Sequence, residues 1–137
     1  MIRLNSMEAT GYIAKPAIGW ARIAAGVLVF LVIGYAYFDT FPDGETNPFN
    51  YFGYFTNQTG MGTGAVLIFM GVLTVRQRTS PIIYLARAVA TTCMMIVAVT
   101  YNGIVPGTGS AAQWVSVSLH VVFPLLTVLD WVYVGDR

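Results

Sequence analysis

His120 is the chain's only histidine, and it lies inside QWVSVSLHVVFPLLTVLDWVYVG, a run from Gln113 to Gly135 that is otherwise mostly apolar. A second polar cluster, Tyr54, Thr56, Asn57, Gln58 and Thr59, opens the apolar stretch YFTNQTGMGTGAVLIFMGVLTV. A neutral imidazole can take a proton from a threonine hydroxyl held within about 3 Å, which makes Thr56 a usable nucleophile if His120 reaches it. Nearby amides such as Asn57 and Gln58 are of the kind that stabilises an oxyanion. A plainer reading uses the same residues structurally. Thr56 to Thr59 then satisfy the free N–H groups at a helix start, and His120 is an interhelical hydrogen-bond partner. Spacing alone does not choose between them.

These residues need helices to carry them. At about 100° per residue, Gln113, Ser116, His120 and Thr127 fall in one narrow sector of a helix, with Asp130 to one side. A polar stripe on a membrane helix must face other helices or a wet cavity, because lipid cannot hydrogen-bond it. Pro124, four residues after His120, removes the backbone donor that would bond the carbonyl of residue 120, so a kink is expected there. In the other polar stretch, Thr56, Gly60 and Gly64 recur every four residues, a small-residue seam for close helix approach. Gly60, Gly62 and Gly64 also match a Gly-rich phosphate loop on paper. With no preceding strand, packing is the better explanation.

Composition sets the class. Of 137 residues, 56% are hydrophobic and 9% charged, too apolar for an ordinary soluble domain. The net charge of +1 offers no basic field for nucleic acid. Cys93 is alone, which excludes an intrachain disulfide, and it reads as a small buried hydrophobe. The fold expected is all-α, a polytopic transmembrane bundle in one domain. Its four spans cover about 17–38, 54–75, 82–101 and 113–135, each long enough for a hydrocarbon core of roughly 30 Å. A cleaved signal peptide at the first span is disfavoured by the long lead-in and the lack of an A-x-A site.

All seven Lys and Arg lie at the N-terminus, the Arg76/Arg78 turn and the C-terminus, or within a turn of them, while Asp39, Asp43 and Glu45 lie opposite. The positive-inside rule then predicts a multi-pass protein of the cell membrane with both termini cytoplasmic. On that sidedness Arg22, Arg87 and Asp130 share one depth near the cytoplasmic ends of their spans. They predict an intramembrane ion pair, with independent snorkelling as the competing reading. Thr56, Asn57, Gln58, Ser116 and His120 fall in the outer half. No metal and no cofactor is expected.

YFGYFTNQTG followed by LHVVFPLLTVLDWV resembles the androgen-induced and androgen-dependent family of membrane hydrolases, in particular its bacterial relatives. The resemblance covers most of the chain, but only these two motifs are specific. It implies a multi-span helical protein that hydrolyses fatty-acid esters of hydroxy fatty acids, with Thr56 as nucleophile and His120 as its partner. Two departures stand beside it. Family members generally continue past the histidine helix, which leaves a shortened member, a fragment, or a chain completed by homo-oligomerisation. The proline also sits about one residue closer to the histidine than in the animal enzymes. Three readings therefore stand: a lipid-ester hydrolase meeting its substrate from the membrane; a non-enzymatic binding or transport module lined by His120 and the Gln113/Ser116/Thr127 stripe; and a helical scaffold. Proton-coupled transport would want acids along the path, and the single intramembrane acid, Asp130, lies near the cytoplasmic end.

Overall fold

The computed structural model describes residues 2–39, 41–44, 47–107 and 111–134, with side chains described from residue 16 onward except at 43. Gly135, which closes the expected fourth span, lies outside the described residues, as do Glu45 and Arg137 and the side chains of Arg3, Lys15 and Asp43. The described chain is all-α. Helix α1 is Ile2–Asp39, α2 is the short Pro48–Gly53, α3 is Phe55–Val75 and α4 is Pro81–Val99, which continues into a π turn at Thr100–Ile104. The last span is built from α5, Gln113–Val117, a second π turn at Ser118–Val122, and α6, Phe123–Tyr133. Four stretches are long and apolar enough to cross a membrane: Pro16–Asp39, Phe55–Val75, Pro81–Ile104 and Gln113–Tyr133. This is the pattern of a multi-pass membrane protein. The third span runs three residues past the expected 101 because the π turn carries the helix on through Ile104.

Small residues set how closely the first two spans pack. A Cβ placed on Gly26 would lie 2.5 Å from the carbonyl oxygen of Gly64, and one on Gly71 would lie 2.5 Å from that of Gly19. The backbones of α1 and α3 therefore touch at two levels, with Gly60 of the expected seam meeting Ile33 one turn further along. Without hydrophobic drive between helices in lipid, such backbone approach is the main source of packing attraction. Val29, Ile33, Leu67, Met94, Val115, Leu119 and Phe123 fill the bundle's interior. Large apolar side chains such as Leu31, Phe69, Ile82, Val99 and Leu125 remain exposed around it, which suits a surface meant for acyl chains.

The connections are specific too. Asn47 caps α2 by accepting from the Phe49 N–H at 3.0 Å, with Pro48 at the first helical position. At the other end of α3, Gln77 takes the left-handed conformation (φ 54°), and the Arg78 N–H bonds back to the Leu73 carbonyl. Tyr37, Phe38, Phe41, Tyr51 and Phe52 form a chain of ring contacts beside the first loop, the position of an interfacial aromatic belt.

Candidate functional site

The site forms where two irregular turns face each other. Pro124 has no N–H, so the ladder of the last span is broken at that residue. The Phe123 N–H bonds instead to Ser118, five residues back, which makes the Ser118–Val122 turn a π turn. The carbonyl of His120, deprived of its ordinary donor, accepts from Nδ2 of Asn102 on the neighbouring span at 3.0 Å. Asn102 sits in the other π turn, which closes with the Val105 N–H bonded to Thr100. Single π turns inside α-helices recur at functional sites. Here two of them are cross-linked by one amide.

Around that link the side chains are fixed. His120 Nδ1 lies 2.8 Å from the carbonyl oxygen of Ser116. A carbonyl can only accept, so Nδ1 carries the proton and Nε2 carries the lone pair. The ring stacks on Tyr101, with centroids 3.6 Å apart and planes 13° from parallel. The Tyr101 hydroxyl in turn reaches Ser116 Oγ at 3.4 Å. His120 is thus held on one edge and one face.

Beside it runs a groove of about 300 Å³ lined by Met95, Ala98, Val99, Asn102, His120, Val121, Pro124, Leu125 and Val128. It opens outward between the third and fourth spans, since Met95, Val99, Val121 and Leu125 are exposed. At 1.5 Å per residue, His120 lies about 10 Å along the last span from Gln113. The groove is thus an apolar cleft with two polar residues at one end.

The other residues singled out by sequence are placed as follows. Thr56 lies in the first turn of α3, half-buried, and no hydrogen bond joins it to His120. Thr56 is not among the residues lining the groove. Asn57 is buried and donates to the Tyr51 carbonyl at 2.8 Å, which ties α2 to α3. Tyr51 passes the tie onward by donating its hydroxyl to the Ile33 carbonyl at 2.9 Å, and burial pushes its phenol above the ordinary value. Gln58 and Gln113 are exposed. Thr127 is buried and turned back onto the Pro124 carbonyl at 2.8 Å. Gln113 and Thr127 therefore do not share the single stripe expected of a straight helix. The π turn inserts one extra residue between them, which rotates the lower face by about 100°.

Toward the other end of the bundle is a charged layer. Asp130 Oδ1 accepts from Arg22 Nε at 2.8 Å, and Oδ2 lies 2.8 Å from a terminal nitrogen of Arg87. Both arginine side chains are 3% exposed and that of Asp130 15%. Arg22 also donates to Thr74 Oγ1 at 2.8 Å, and Arg87 donates to the Asp130 carbonyl at 2.6 Å and stands 5.2 Å from the Trp131 ring centroid. The three charges join the first, third and fourth spans, while Thr74 adds the second. Ten residues separate Asp130 from His120, about 15 Å along the span. The layer is a clasp, set apart from the polar end of the groove.

Asn102 and Tyr101 are the residues that sequence reasoning missed. Both fall where the third apolar run gives way to a Gly/Pro loop, and Asn102 reads as part of that loop. The available signal was the carbonyl freed by Pro124, which required some donor from a neighbouring helix. Among the described residues, no group of three or more histidine, cysteine or acidic side chains is placed to hold a metal ion. No protein-family model, curated protein or solved structure matches the chain.

Proposed function

We propose that this chain is a lipid-binding protein of the cell membrane, with both termini cytoplasmic, which takes one chain of a membrane amphiphile into the groove beside His120. The observation that carries the reading is the groove itself. Its walls are almost wholly apolar and open toward where acyl chains lie, while His120 and Asn102 stand together at one end. Binding sites of this composition take ligands with an apolar body oriented by a few fixed polar groups. The ring of His120 is held by Ser116 and Tyr101, so its open nitrogen costs little ordering on binding.

The test is photolabelling. Protein reconstituted in liposomes with a diazirine-bearing single-chain amphiphile should be labelled on peptides containing residues 95–102 and 121–128. Leu125→Trp, which fills the groove from an exposed position, should suppress that labelling without lowering thermal stability. Labelling spread evenly over all four spans would overturn the reading.

Ester hydrolysis by Thr56 and His120, as the family resemblance implies, is a second reading. The His120 tautomer supports it, because a proton on Nδ1 leaves Nε2 as a general base. Thr56 would have to close on His120 in the substrate complex. Thr56→Ala and His120→Ala should then each abolish hydrolysis of a long-chain ester, and the two losses should not add. Hydrolysis surviving in both variants would remove this reading and leave binding intact.

A further inference from the structure

The polar end of the groove offers acceptors and no donors. His120 commits its Nδ1–H to the Ser116 carbonyl at 2.8 Å, so the neutral ring presents only the Nε2 lone pair. Asn102 is committed in the same sense. Its Nδ2 lies 2.8 Å from the Ala98 carbonyl and 3.0 Å from the His120 carbonyl. Two carbonyl acceptors fix which end of the amide is nitrogen, and together they use both of its N–H groups. What Asn102 has left is Oδ1, another acceptor. Both residues line the groove, and the other side chains there are apolar.

We infer that the occupant is a single-chain amphiphile whose head carries hydroxyl donors, such as a long-chain alcohol or a monoacylglycerol, rather than one whose head only accepts. The inference rests on the binding reading above and adds the chemistry of the head group. An ester, ether or ketone placed at His120 would set lone pairs against lone pairs. A hydroxyl donates to Nε2, and a second hydroxyl has Asn102 Oδ1 within the same groove. Asn102 is exposed and His120 half-buried on a face turned to hydrocarbon, where water is scarce about 10 Å inside the span. A mismatched head therefore leaves these acceptors without a partner, at the cost of a desolvated polar group. Selection by hydrogen-bond sense is sharper than selection by chain length, because one methylene more or less changes little in an apolar cleft. The apolar wall supports the rest of the ligand. From His120 to Val128 it extends eight residues, about 12 Å, along the fourth span.

The experiment ranks three oleoyl probes of equal chain length: monooleoylglycerol, oleyl alcohol and methyl oleate. Each competes with a photoactivatable single-chain amphiphile for labelling of peptides containing residues 95–102 and 121–128. The protein is held in bilayers of diacyl phosphatidylcholine, whose head bears no hydroxyl donor. Monooleoylglycerol and oleyl alcohol should displace the label at roughly tenfold lower mole fraction than methyl oleate, the ratio that one satisfied acceptor supplies. Equal displacement by all three would overturn the head-group inference while leaving the groove reading standing. Displacement by none, with labelling not confined to those peptides, would instead remove the groove reading. His120→Phe keeps an aromatic ring against Tyr101 but has no lone pair, so it should bring the three probes together. An unchanged ranking in a His120→Phe protein of normal melting temperature would refute the role of Nε2. If that variant fails to fold, the ranking in the unmodified protein decides the matter.

Discussion

Asp130→Asn isolates the charged clasp with almost no change of shape. In the native bundle one carboxylate answers two guanidinium groups at 2.8 Å each, and both arginine side chains are 3% exposed. At an effective dielectric near 20, each pair is worth about 4 kcal/mol of attraction, most of it offset by the cost of removing the charges from water. The amide removes the attraction and leaves the desolvation cost in place. It also sets an N–H donor toward a guanidinium and leaves two like charges close together. Breaking one partner out of a buried ion pair costs about 3–5 kcal/mol. The lower end applies here, because Arg22 keeps Thr74 and Arg87 keeps Trp131 and the Asp130 carbonyl. For a chain of this size that corresponds to a melting point lower by about 10 °C. Thermal unfolding in detergent, followed by circular dichroism, measures it at low and high salt. The loss should persist at high salt, since buried pairs are poorly screened. Replacing all three residues together, Arg22→Met, Arg87→Met and Asp130→Leu, should recover most of the stability, because no uncompensated charge remains. A shift below about 2 °C for Asp130→Asn, or one abolished by salt, would refute the view that these charges are buried and coupled.

Gly26→Ala should destabilise strongly, since its methyl would meet the Gly64 carbonyl oxygen at 2.5 Å and the two backbones would have to separate. Gly62→Ala, with nothing within 4 Å, should be neutral or stabilising by up to about 1 kcal/mol through helix propensity, and melting curves of the pair compare them directly. Asn102→Leu should cost about 1–2 kcal/mol by leaving the His120 carbonyl without its donor. In a Pro124→Ala background, where a backbone N–H is restored at position 124, the same substitution should cost less, and a double-mutant cycle reads the coupling as at least about 0.5 kcal/mol. A cysteine replacing Phe49, which is 89% exposed in the loop helix α2, should react with an impermeant thiol reagent only from outside the cell. Labelling of that cysteine solely from the cytoplasmic face would reverse the proposed orientation.

The four spans were legible because they depend on quantities that a sequence carries directly, namely the length of an apolar run and the Gly, Pro and polar residues that interrupt it. Their bounds in the structure differ from the sequence reading by one or two residues at most ends. The exception is the third span, read as ending at Tyr101, where Asn102 reads as the start of a loop and instead lies inside a π turn, Thr100–Ile104. Backbone contact between α1 and α3 was legible only in part. The Gly60/Gly64 seam marks one side of it, whereas Gly19 and Gly26 on the partner stand among alanines that would have served equally well in a composition argument. Asn57 shows the limit of reading a polar cluster as a site. Its amide is spent on the Tyr51 carbonyl at the end of a six-residue helix that no periodicity announces.

The geometry of the His120 site was not legible for a reason that is physical rather than statistical. A helical wheel assumes one angle per residue along a whole segment, and Pro124 breaks that assumption from within. Its missing N–H does not simply bend the last span. It frees the His120 carbonyl, the ladder reorganises into a π turn, and the polar stripe splits, with Ser116 and His120 kept together and Thr127 offset by the extra residue of that turn. The freed carbonyl then has to be satisfied in a region without water, which demands a donor from a neighbouring helix. Asn102 supplies it, and in doing so uses the second of its two N–H groups, the first being held by Ala98. The same bond that repairs the helix therefore leaves Asn102 with only an acceptor to offer. His120, through its own bond to Ser116, is left in the same condition. Half of the groove's hydrogen-bond sense, the part at Asn102, thus follows from the repair of one proline, and the other half from the His120 bond to Ser116.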